Sequence, residues 1–281
     1  MALKLVRAAA LALAALSATG AAVAEEEAGL SETRIDAEVP GHPGLTYEAL
    51  VKQVLPDLKP GAEGRWTTSG VTLPKTDGEA EPTGPGELQI IDVYDFRGGG
   101  RPLILLTIGD FVGQGWLHIV AVFDPAANGA PKLIDAVNVG IDRLTLMRPW
   151  LELTADEIGL VFESSYAGMD RVDSATQVIL LREGKLKRVL LERTVRLMAC
   201  GLRVEQVPEL SVVPDAAAPY GAISFGVEQD VRLIDEDCGG MPVPDVTPGT
   251  KRFTDIFHWD AATVSYVAAT NNRAGLVTGH E

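Results

Sequence analysis

From Glu87 onward, short runs of β-branched and apolar residues recur about every 10–14 residues, each bounded by Gly, Pro, Asp or Asn. The runs are Leu88–Val93, Leu103–Ile108, Leu117–Phe123, Leu133–Val139, Leu160–Glu163, Gln177–Leu181, Leu186–Leu191, Ala222–Val227, Val231–Ile234, Phe253–Trp259 and Val264–Ala269. Regular spacing of this kind is the signature of an all-β sandwich, barrel or propeller. The expected fold is therefore all-β: a propeller-like antiparallel meander or, as the alternative, a two-sheet β-sandwich. Glu183-Gly184 supplies the positive-φ residue of a tight hairpin, and Asp124–Pro131 makes a longer one. The alternation of apolar and charged residues in Lys185–Val195 favours strand over helix. One short helix precedes the strands, over Leu45–Val54, with Thr46 as N-cap and Pro56 just beyond its end.

The chain's first residues are of another kind. Lys4 and Arg7 precede the apolar run Ala8–Leu16, and the segment Ser17–Ala24 closes on Ala22-Val23-Ala24 before Glu25-Glu26-Glu27. That order of charge, apolar core and small residues predicts a cleavable secretory signal over 1–24 and a periplasmic or secreted protein. No later stretch reaches the ~18 apolar residues of a membrane helix; Leu103–Phe123 is interrupted by Asp110, Gly113, Gln114, Gly115 and His118. The expected organisation is a signal over 1–24, a flexible acidic leader over 25–44, a short helix and loop over 45–86, and a β domain over 87–281. A net charge of −15 argues against a nucleic-acid partner and against anionic lipid. Cys200 and Cys238 are the only cysteines, and in an oxidising compartment an even pair is most simply one disulfide.

The segment Ile91–Leu106, with Asp92, Asp95, Gly98 and Gly100 followed by Arg101-Pro102, resembles the start of an FG-GAP or VCBS-type propeller repeat, in which an Asp- and Gly-rich loop precedes an apolar strand. The resemblance implies a calcium-binding loop. The sequence departs from it by carrying Gly98-Gly99-Gly100 where further Asp residues belong. Asp92 and Asp95 are calcium candidates on this reading. Asp170 and Asp173, with Glu163 nearby in sequence, form a second acidic group.

Other chemistries find little support. The four histidines, His42, His118, His258 and His280, have no ligand spacing, and no G-x-S-x-G elbow accompanies them. His118 and His258 fall within strand runs, where packed or surface roles are expected. Gly113-Gln114-Gly115 lacks the further glycine, lysine and helix of a nucleotide loop and reads as a hairpin turn. Glu163, beside Ser164-Ser165-Tyr166, is the one candidate catalytic carboxylate. Trp116, Trp150 and Trp259 could stack on sugars or fill the core. The expectation is a non-enzymatic binding or interaction domain, for a protein or small ligand, with no cofactor other than calcium. The alternatives are a carboxylate-dependent glycan hydrolase and a purely structural envelope protein.

Overall fold

A computed structural model of the chain describes residues 35–61, 65–76, 79–82, 85–88, 90–109, 118–125, 130–140, 143–168, 170–199, 201–234, 246–270, 272–273 and 275–277. The expected signal, the Gly113-Gln114-Gly115 turn, Trp116, His280, and both Cys200 and Cys238 with their expected disulfide lie outside the described residues.

Helix α1 (Tyr47–Val54) starts where the sequence places a cap: the Thr46 hydroxyl accepts from the Ala49 amide at 3.2 Å. Leu50, Val51 and Val54 are its buried face. Residues 35–44, expected to be part of a flexible leader, are instead built into the core. Ile35 and Val39 are 1 % and 2 % exposed, and the Glu48 amide donates to the Ile35 carbonyl at 2.7 Å. The acidic neighbours mask two apolar anchors that have a partner only once the helix and first sheet exist.

The segment 59–85, expected to be a long loop with one short strand near Val71-Thr72-Leu73, holds four short strands, β1 (Lys59–Pro60), β2 (Trp66–Thr68), β3 (Thr72–Pro74) and β4 (Ala80–Pro82), and β5 (Gly86–Leu88) follows directly. Strands β1, β2 and β5 form one small sheet and β3 pairs with β4. Asp57 ties this segment to α1. It accepts from the Thr68 hydroxyl at 2.6 Å, from the Ser69 amide at 2.5 Å and from the Ser69 hydroxyl. The Ser69 and Thr68 hydroxyls, aided by backbone amides, outweigh partial burial and hold its pKa at about 2, against 3.8 ordinarily. The folded pKa is the lower one, so this stabilisation is complete above pH 3.8 and drains away as the pH falls towards 2. Asp57→Asn should therefore flatten the fall of melting temperature over that acid range. Parallel acid curves for the two proteins would contradict the assignment.

Two large antiparallel meanders follow. Strands β6 (Ile90–Gly98), β7 (Arg101–Gly109), β8 (His118–Asp124) and β9 (Lys132–Gly140) form a four-stranded sheet in sequence order. Strands β10 (Arg143–Glu152), β11 (Ile158–Ala167), β12 (Arg171–Arg182), β13 (Lys185–Ala199), β14 (Leu202–Val213), β15 (Ala222–Leu233), β16 (Gly249–Asp260) and β17 (Ser265–Ala268) form an eight-stranded one, also in order. Among the described residues the chain adopts the all-β class with one short helix. Gly99 and Gly100, at φ 59° and 72°, make the two-residue turn between β6 and β7; Glu183 and Gly184, at 53° and 73°, make the one between β12 and β13.

The layers stack. One face of the four-stranded sheet, with Ile104, Leu106 and Phe123, packs on α1. Its other face, with Leu103, Leu105, Val120 and Val122, packs on Leu160, Phe162 and Ile179 of the long sheet. The opposite face of those same strands, with Val161, Val178 and Leu180, is covered by Phe225, Phe257 and Trp259 from the long sheet's own later strands. Face-to-face packing of open sheets is the arrangement of the sandwich alternative. It also explains the continuous apolar runs: the central strands are buried on both faces, as in the fully buried stretch from His118 to Phe123 of β8.

The long sheet turns back on itself at one place. Strand β14 pairs with β13 only from Arg196↔Glu205 to Ala199↔Leu202, whereas it pairs with β15 along its whole length. At the fork the Gln206 side chain replaces the missing ladder. Its Oε1 accepts from the Val195 amide at 2.9 Å, and its Nε2 donates to Gln229 and to the Val277 carbonyl at 2.9 Å each. Buried backbone groups left by the parted strands are thereby satisfied.

Candidate functional site

The parting of β14 from β13 opens a cleft of about 930 Å³. One wall is β10 and the turn after it, with Met147, Trp150 and Leu153; the other is β14, with Pro208, Leu210 and Val212. Val161, Glu163 and Thr176 line it from β11 and β12, and Tyr220 from the loop before β15.

Both walls contain proline. Register with β11 breaks between Met147 and Leu151, and Pro149 lies in that break. Pro208 lies opposite Val227 without disturbing the β14–β15 register. A proline is admitted to a strand where its missing N–H faces no neighbour. Both positions satisfy this, since β10 is the sheet's edge and β14 has left β13 by Pro208. At one end the Gly221 amide donates to the Leu153 carbonyl at 2.9 Å. A Cβ at Gly221 would lie 2.5 Å from Val212 Cγ1 and 3.1 Å from the Val213 carbonyl oxygen, so any larger residue would force Val212 to shift.

Trp150 is held from behind by an edge-to-face contact with Phe96 at 5.9 Å. The Arg148 guanidinium lies 4.3 Å from the centre of the Tyr94 ring and 5.3 Å from that of Trp150. On the far side, Tyr220 and Tyr266 both stack edge-on against Trp259, and Tyr266 donates its hydroxyl to the Gly221 carbonyl at 2.9 Å. Burial raises the pKa of both tyrosines. Trp259 is thus a packed residue, while Trp150 is both packed and part of the lining.

Glu163 stands opposite Thr145 on one side and Thr176 on the other. Thr176 is 2 % exposed, and its hydroxyl has no hydrogen-bond partner among the described residues. A buried hydroxyl left open is costly, and here it borders a cavity and stands across from a carboxylate. Two other carboxylates are in the lining, Glu152 and Asp215. Asp215 accepts from His258 Nδ1 at 2.7 Å, which, with the Ala217 amide, holds its pKa below the usual range.

The calcium candidates do not converge. Asp92 and Asp95 lie within β6 rather than in the Gly99-Gly100 turn, and strand alternation sends them to opposite faces. Asp95 meets His42 at 2.8 Å. Asp92 hydrogen-bonds Tyr94, and burial raises its pKa against the opposing effects of Tyr94 and Arg148. Asp173 is paired with Arg171, and the Asp170 carbonyl accepts from the Met198 amide. Glu163 and Asp173 also fall on opposite faces, because Asp173 lies opposite Tyr166, three residues from Glu163. Among the described residues no three His, Cys, Asp or Glu side chains are grouped to hold a metal ion, and no helix is long and apolar enough to cross a membrane. His118 is packed in β8 at 4 % exposure.

Of the site residues read from the sequence, the cleft unites Glu163 and Trp150. Thr176, Leu210 and Tyr220 escaped that reading. The period-two series Leu202, Val204, Leu210 and Val212 marks β14, but Pro208 conceals it. No known protein family, characterised protein or solved structure matches the chain.

Proposed function

We propose that this is an exported, non-enzymatic binding protein whose cleft between β10 and β14 takes a ligand with an apolar body and a cationic, hydrogen-bonding group. The observation that carries the reading is the Thr176 hydroxyl, buried, unpartnered and opposite Glu163. Binding sites of this size are mostly apolar with a few convergent polar groups, and Trp150, Leu153, Leu210 and Tyr220 supply the apolar part. The charge, core and cleavage-site order of residues 1–24 supports export. A glycan hydrolase would need a second free carboxylate beside Glu163. Asp215 is engaged by His258, and Glu152 is exposed at the sheet edge.

Phenethylammonium, with the isosteric carboxylate 3-phenylpropionate as control, tests the reading. The ammonium should shift the Trp150 indole N–H resonance saturably, and the carboxylate should not. Glu163→Gln should weaken the ammonium about tenfold, the worth of one charge-assisted hydrogen bond, without lowering the melting temperature. Indifference to both probes, or an equal response to both, would reject it.

A further inference from the structure

The cleft has a second property, which lies in the backbone of its wall. In the β13–β14 hairpin the register closes with Ala199 opposite Leu202, and Leu197 lies opposite Val204. In a two-residue hairpin the closing pair is hydrogen-bonded and bonded pairs alternate, so Leu202 and Val204 turn their backbone groups towards β13. The β14–β15 register runs unbroken from Leu202 to Val213. The same alternation therefore directs the backbone of Gln206, Pro208, Leu210 and Val212 away from β15. Pro208, which has no N–H to give, falls in this outward set, consistent with the phase. Beyond Glu205 no strand among the described residues pairs with this edge. It presents to the cleft the carbonyls of Pro208, Leu210 and Val212 and the amides of Leu210 and Val212.

We propose that the cleft's occupant is an extended peptide that adds a strand to the free edge of β14 and sends a basic side chain to Glu163 and Thr176. This rests on the cleft being a binding site and names what it binds. A row of amides and carbonyls repeating every ~6.8 Å, twice the rise per residue, is complementary to another extended chain. Inward side chains of an added strand point the same way as Leu210 and Val212, towards the face that carries Glu163 and Thr176. The opposite wall competes poorly, because β10 is interrupted by its register break and Pro149. The charge preference follows from the lining, where Glu152, Glu163 and the His258-bonded Asp215 outnumber the one lining cation, Arg148, already stacked on Tyr94 and Trp150. A net charge of −15 favours the approach of a basic segment.

The probe is a capped nonapeptide of alternating threonine and valine with one central lysine, titrated into the intact protein. Saturable binding is expected, and replacing the lysine with glutamate should abolish it. Single N-methylation along the peptide should weaken binding at least tenfold at alternate positions and little at those between. On the protein side, Leu210→Pro removes the outward amide, whereas Leu210→Ala loses the same packing but keeps it. The proline variant should bind at least tenfold more weakly than the alanine variant. A methylation scan without alternation overturns the proposal, as does equal binding by the two Leu210 variants. Failure of the peptide alongside Glu163-dependent binding of phenethylammonium overturns the strand and leaves the binding cleft standing. Failure of both probes removes both.

Discussion

Replacing Arg273 with alanine should lower the unfolding free energy by about 3–5 kcal/mol. The reason is Asp255 of β16, which is 1 % exposed. Its carboxylate accepts from Arg273 Nε at 2.8 Å, from the Asn272 amide at 2.9 Å and from the Thr270 hydroxyl at 3.2 Å. The same guanidinium bonds Glu192 of β13 and lies about 5.5 Å from the Phe257 ring centre and 5.6 Å from that of Phe225. Burial lowers the Arg273 pKa, but Glu192 and Asp255 more than reverse this, so the group stays charged. Without it, two inward carboxylates face each other across the core of the folded-over sheet, and Asp255 keeps only neutral donors. Equilibrium denaturation in urea measures the loss. Asp255→Asn in the Arg273→Ala background should recover part of it, because a neutral amide costs less to bury than an unpaired charge. A loss below about 1 kcal/mol would mean that water reaches Asp255 and that its pairing with Arg273 does little to hold β16.

Phe162→Ala should cost a similar amount, about 3–5 kcal/mol, for a different reason. Phe162 is fully buried in the layer between the two large sheets, against Leu103, Leu105, Val120 and Val122. Two hydrogen bonds across the same layer limit how far the sheets can close over the space. The Gln177 amide is fixed on the Val139 carbonyl at 2.7 Å, and Asp135 on the Leu186 amide at 2.8 Å, both across the same layer. The sheets are thus locked at a set separation, and the truncation leaves a cavity. Denaturation should remain one transition with an unchanged denaturant slope and a lower midpoint. A split transition would instead show that the four-stranded sheet unfolds by itself.

Much of the β domain is legible in local sequence. Leu103–Ile108 lies inside β7 and Leu133–Val139 inside β9, because strands buried on both faces are written as near-continuous apolar runs, whereas Phe253–Trp259 lies inside β16, whose buried residues alternate with exposed ones. Thr46 caps α1, Glu183-Gly184 turns β12 into β13, and the alternation in Lys185–Val195 does mark a strand. Each of these depends on side chains within a few residues of one another. The runs Ala222–Val227 and Val231–Ile234, expected as separate strands, fall on the single strand β15 except for Ile234, just past its end; the polar middle, Glu228 to Asp230, continues the ladder with β14 and β16.

What decided the site is of another order. Strands β10 and β14 are absent from the run of expected strands, and both carry proline. Locally, proline argues against a strand, because it removes a hydrogen bond that a paired neighbour would need. Only the tertiary arrangement shows that no neighbour stands on that side. Ile35 and Val39 likewise look like residues of a solvated leader until α1 and the first sheet supply the surface that buries them. Glu163 could be singled out as a carboxylate on a strand. Its position opposite an unpartnered Thr176, in a cleft opened by two strands parting some 30 residues further on, follows from how the long sheet folds over. Local sequence carries most strands of the two large sheets, the Glu183-Gly184 turn and the cap of α1, since short-range sterics and burial periodicity are written residue by residue. The fork at Gln206, the cleft and its open backbone edge were decided only by tertiary structure, because they depend on which strand edges and faces are left without a neighbour once the layers are stacked.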